Sequence, residues 1–150
     1  MNVTDLIEQH LAKHPFTLIT THNEETAYTY SIGMTKYNLP DVVLTSIEPN
    51  NAEKILSYAL HHLIEIESAE IGKAYHGVFE NMPFMLMPVD TQLDGNDLFF
   101  QKHQFDEYKF KKHTDVLTLI LPDQNGRFPR QEGVDPDWAD KITRFTIKLQ

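Results

Sequence analysis

The sequence predicts a single α+β domain. Its centre is a mainly antiparallel sheet of six or seven strands, open or curled into a barrel-like form, packed on one long helix with two or three short ones. Three observations carry this. The chain has 150 residues, 41% hydrophobic and 23% charged, enough for one proper core and too few for two. Short stretches of period-two alternation recur between polar turns, as half-buried strands do. The regular strand–helix–strand rhythm of a parallel sheet is absent. Without repeats, low-complexity runs or a linker, residues 1–150 form one domain.

The elements follow in order. Leu6, Ile7 and Leu11 fall at near-helical spacing, with Asn2 or Thr4 to cap the start and Pro15 to end the helix. FTLITT (16–21) and TAYTYSIGM (26–34) flank the polar turn HNEE and read as a hairpin, Tyr28, Tyr30 and Ile32 on one face. After KYNLP comes DVVLTSI (41–47), apolar enough for a central strand. The clearest helix spans 51–66: Asn50 or Asn51 caps it, and Ala52, Ile55, Leu56, Ala59, Leu60 and Leu63 form a stripe. Each of its larger aliphatics contributes about 1.5–3 kcal/mol when fully buried. GKAYHGVF and MPFMLMPVD (82–90) read as two more strands, LFFQKHQFDEYKF (98–110) as a helix, and DVLTLILP (115–122) as a central strand. Asp135 caps a last short helix with Pro136 in its first position, and TRFTIKLQ reads as a closing strand.

Charge and composition exclude several functions. A formal net charge of −9 disfavours binding along a phosphate backbone, and the one basic cluster, Lys109, Lys111 and Lys112, is flanked by Asp106, Glu107 and Asp115. Nucleic acid is therefore not an expected partner. The absence of cysteine excludes disulfides, thiolate metal sites and a cysteine nucleophile. No signal-peptide pattern opens the chain, and no apolar run approaches the ~18 residues of a membrane span, so the expected location is the cytoplasm, off the membrane.

Two of the three arginines sit in LILPDQNGRFPRQEG (119–133), between two prolines. A guanidinium offers a planar fork of donors to a carboxylate or phosphate, and a stiff loop loses little entropy on ordering around a ligand. One reading has Asp123, Arg127 and Arg130 meeting in a pocket. The other has Asp123 capping the turn amides with Arg127 paired to it internally. Tyr28 and Tyr30 offer faces for a planar ring, or are core residues whose hydroxyls find partners. His22, beside Glu24 and Glu25, and His76 lie near turns and complete the candidate ligand-binding set. His61 and His62, about 100° apart on a helix, do not converge on one metal. No H-E-x-x-H, H-x-H, G-x-S-x-G, Walker loop or G-x-G-x-x-G occurs, so neither a metal nor a catalytic residue is assigned.

AYTYSIGMTKYNLPDVVLTSI, an alanine-bearing helix with AEKIL, and then VLTLILPDQNGRFPRQEGVDP resemble, in that order, the bacterial family of domain of unknown function 4262 over about residues 26–136. Its typical segments are YT-x-G-L…P-E-L, A-x-x-[IL]-L and PD-x-x-G-x-FP-W. This chain departs from them with SIGM, with Asp41 in place of Glu and with Arg130 in place of Trp. The resemblance implies a coherent fold and brings no activity with it.

Of three functional classes the sequence favours a binding module, whose arginine-bearing loop takes an anionic, nucleotide-like small molecule or an acidic protein segment. No cofactor is expected. An enzyme is the alternative, using FMN on a split-barrel-like sheet or pairing Asp123 with a histidine as acid and base. A protein–protein interaction module is the third, presenting Trp138, Phe99 and Phe100, with a homodimer as one arrangement.

Overall fold

A computed structural model describes residues 3–22, 27–80, 82–89, 116–144 and 146. Helix α1 (Val3–Lys13) leads into β1 (Thr17–His22) and β2 (Ala27–Ile32). One turn of 3-10 helix (Met34–Tyr37) precedes β3 (Asp41–Thr45), and α2 (Pro49–Ile66) follows. The remaining elements are β4 (Ala74–Tyr75), β5 (Phe84–Pro88), β6 (Val116–Ile120) and α3 (Pro136–Ile142).

The strands form one mixed sheet in the order β1-β2-β3-β6-β5-β4. All neighbours pair antiparallel except β3 and β6, which run parallel with Val42 opposite Leu117. The sheet is open, with β1 and β4 at its edges, so the barrel-like curl is not formed. The central place of β6 follows from its composition, since all five of its residues are buried. GKAYHGVF yields only the two residues of β4, because Gly77, at φ 84°, turns the chain out of the strand region. The helix expected over 98–110 lies outside the described residues. Of the closing strand, Thr143 and Arg144 finish the turn after α3, Thr146 bridges Val89, and the other positions are likewise outside.

Helix α2 covers one face of the sheet. Ala52, Leu56, Ala59, Leu60 and Leu63 pack on Val42, Leu44, Phe84, Leu86, Leu117 and Leu119. Its cap is not Asn50 or Asn51 but Glu48, whose carboxylate accepts from both of their N–H groups at 3.2 Å, with Pro49 opening the helix. At the other end Glu67 adopts the left-handed conformation and its N–H reaches the carbonyls of Ile64 and Leu63. A buried polar link ties β2 to β3. Ser31 Oγ donates to Asp41 Oδ1 at 2.9 Å and accepts from Val42 N at 3.0 Å, while Met34 N donates to the same carboxylate oxygen at 3.1 Å.

Register puts Tyr28 and Tyr30 opposite Thr45 and Val43, and Met85 and Met87 opposite Ile120 and Thr118. These residues share the face turned away from α2. Among the described elements α3 lies on that side, against β3, where Ser46 Oγ donates to the carbonyl of Lys141 at 3.1 Å.

Candidate functional site

The 121–135 loop is organised by one carboxylate. Asp123 Oδ1 accepts from Asn125 N at 2.9 Å and Arg127 N at 3.0 Å, and Oδ2 accepts from Asp135 N at 2.8 Å. The backbone closes the same turn, Asp123 N donating to Arg127 O at 2.8 Å, with Gly126 at φ 79°. Those N–H groups, first from Arg127 and then from Asp135, hold the Asp123 carboxyl below its ordinary pKa against the opposing effect of burial. Asp123 thereby joins the end of β6 to Asp135, the residue that caps α3 and accepts from Asp137 N at 3.0 Å. Trp138 Nε1 adds a second tie, donating to the carbonyl of Leu121 at 3.0 Å.

The two loop arginines part company. Arg127 lies over Gly133, where a Cβ would meet its guanidinium carbon at 3.0 Å, and it donates to the Gly133 carbonyl at 3.3 Å. Arg130 is exposed at φ 77°, a left-handed conformation that side chains avoid, in a turn where Gln131 Oε1 accepts from Phe128 N at 2.6 Å. It lines a cavity of about 320 Å³ on the sheet face away from α2. Met85, Met87, Ile120 and Phe128 give that cavity apolar walls, and Asp140, Thr143 and Thr146 give it polar groups. Thr143 Oγ1 is engaged, donating to the carbonyl of Ala139 at 2.6 Å. Thr146 is only 7% exposed, and its hydroxyl has no hydrogen-bond partner among the described residues. Buried hydroxyls normally have one, so this cavity wall carries a polar atom that no described residue satisfies.

The other candidates lie elsewhere. Tyr28 and Tyr30 are core residues, 3% and 2% exposed, and burial, followed by the neighbouring Tyr28, raises the Tyr30 phenol well above its ordinary pKa. His76 is exposed just beyond β4 and is not part of the Arg130 cavity. His22 is placed by its backbone alone, opposite Ala27 at the end of β1, and Glu24 and Glu25 fall outside the described residues. Among the described residues no three His, Asp or Glu side chains gather closely enough to hold a metal ion.

Sequence reasoning missed a second cleft, of about 330 Å³, between α1 and α2. His10 and His14 line one wall with their rings stacked 4.1 Å apart; Glu53, Ser57 and His61 line the other. The signal was present: both sets are spaced by four, which puts each on one helix face. Lys36 fixes the end of α1, its ammonium donating to the carbonyls of Leu11 at 3.0 Å and His14 at 2.9 Å. Partial burial, then the charges of His14 and Lys36, lower the pKa of His10. His61 and His62 do diverge, towards Phe16 at 5.1 Å and Tyr75 at 6.0 Å.

Fold and site together describe an α+β domain with an open mixed sheet and a loop-walled cavity on its second face. The chain belongs to the family described as domain of unknown function (DUF4262), whose model matches residues 10–135. That match reaches back to α1, beyond the segments that carry the resemblance in sequence. No curated protein and no solved structure matches the chain.

Proposed function

We propose that this domain is a binding module for a small molecule carrying an anionic group, taken into the cavity beside Arg130. The observation that carries the reading is the arginine-bearing turn itself, which forms one wall of a cavity whose apolar lining includes Met85, Met87, Ile120 and Phe128. Small-molecule sites combine such apolar walls with a few placed polar groups, at volumes of about 300–1,000 Å³. The left-handed backbone at Arg130 adds support, because a conformation costing roughly 1–2 kcal/mol persists where the surroundings impose it, and such positions cluster at ligand sites. Catalysis through Asp123 is the weaker reading, since a carboxylate held ionised by three backbone N–H groups is a poor proton donor and has no base strength to spare.

The test is a thermal-shift panel of nucleotides, inorganic phosphate and free carboxylates, amino acids among them. A ligand at a hundredfold its dissociation constant adds about 2.7 kcal/mol, or about 5–10 °C for a domain of this size. Arg130→Gly removes the guanidinium and relaxes its backbone, so the variant is expected to melt no lower than wild type and to lose the shift. Arg127→Ala is expected to keep it. A shift that survives in Arg130→Gly, or none from any anion, removes the support for this site.

A further inference from the structure

We infer that the ligand of the Arg130 cavity is a free α-amino acid with a large apolar side chain; this rests on the binding reading above. Among the described residues the charged side chains lining the cavity are one guanidinium, Arg130, and one carboxylate, Asp140, whose formal charges cancel. A dianion such as a nucleotide monophosphate therefore meets no net positive charge from these described residues, and it approaches a chain whose formal charge is −9. A zwitterion meets no such opposition. Its carboxylate suits the fork of Arg130, and its ammonium suits the Asp140 carboxylate. The remaining walls, Met85, Met87, Ile120 and Phe128, offer an apolar surface for a side chain. Methionine sulfur makes favourable contacts with aromatic rings and adapts to their shape, which points to aromatic and long aliphatic side chains over small ones. The hydroxyl of Thr146, more than nine-tenths buried and without a hydrogen-bond partner among the described residues, offers one more acceptor for a ligand N–H or O–H on the same wall.

The test is calorimetric titration of the full chain with L-phenylalanine, with 3-phenylpropanoate, which lacks the ammonium, and with AMP. L-Phenylalanine is expected to bind at least tenfold more tightly than either of the others. Asp140→Asn, an exposed helix position with little bearing on folding, is expected to erase the preference over 3-phenylpropanoate while leaving that acid's own affinity intact or improved. If 3-phenylpropanoate or AMP binds wild type as tightly as the amino acid, the inference is overturned and the anion-binding reading stands. A preference that persists in Asp140→Asn overturns it as well. If none of the three binds and the wider anion panel is also silent, both readings fall together.

Discussion

At the residue scale the molecule turns on Asp123. Its carboxylate gathers three backbone N–H groups, from Asn125, Arg127 and Asp135, so one side chain ties together the 127–130 turn and the start of α3, the two segments whose later residues reach the cavity. Asp123→Asn preserves the shape but removes the charge and one of the two acceptor oxygens. Because the folded pKa is depressed, the ionised group contributes stability in full above its ordinary value of 3.8, and that contribution disappears as pH falls through the lower folded value. Wild type is therefore expected to be more resistant to urea than Asp123→Asn at pH 7, with the gap between their midpoints narrowing steadily below about pH 4. A gap equally wide at pH 7 and pH 3 would show that the charge of Asp123 plays no part. Arg127, by contrast, lies over Gly133 and donates to its carbonyl while Arg130 lines the cavity, and this difference in placement was not legible in sequence. Both are arginines beside a turn; only the folded path of residues 128–133 decides which reaches the cavity.

At the element scale the same division between local and distant information recurs. A helix cap depends on a few neighbouring residues, yet even there the expected residue was displaced. Asn50 and Asn51 are good capping types, but Pro49 fixes the backbone of the first helical position, and this moves the cap back to Glu48. Glu48→Ala is thus expected to cost about 0.5–1 kcal/mol, and Asn50→Ala and Asn51→Ala next to nothing, since those two residues lend only their N–H groups. Equilibrium denaturation of the three variants checks this, and a larger loss at either asparagine would restore the original assignment. The hairpin of β1 and β2, the long helix, the buried strand β6 and the Asp135-Pro136 start of α3 were all legible, because periodicity and capping chemistry write each within one continuous stretch of chain. The openness of the sheet was not, nor was the parallel pairing of β3 with β6, because both depend on pairings between segments far apart in the chain, as Asp41 with Val116. For the same reason the cavity was seen only through its loop. Met85, Met87, Asp140 and Thr146 carry no local mark of sharing a wall.

At the scale of the whole molecule the two faces of the sheet are unequally covered by the described helices. Helix α2 has 18 residues, about 27 Å of helix, and buries five of them, three leucines and two alanines facing the sheet. Helix α3 has seven residues, about 10 Å, and buries only Ile142. The free energy of local opening follows the apolar contact an element makes, so α3 is expected to open well before the global transition while α2 opens only with it. Native-state hydrogen exchange reads this directly: amides of α3 exchange through a sub-global opening with weak denaturant dependence, and those of Leu56, Leu60 and Leu63 through global unfolding. Since α3 and its C-cap supply Ala139, Asp140 and Thr143 to the cavity, a ligand bound as proposed would hold α3 down. Saturating ligand is accordingly expected to slow exchange in α3 and in the 127–133 turn far more than in α1 or β1, which lie away from the cavity. Equal slowing across all elements would mean that binding stabilises the fold without engaging α3, and the cavity would then have to be sought on the α1–α2 side, where His10, His14 and His61 line the other cleft.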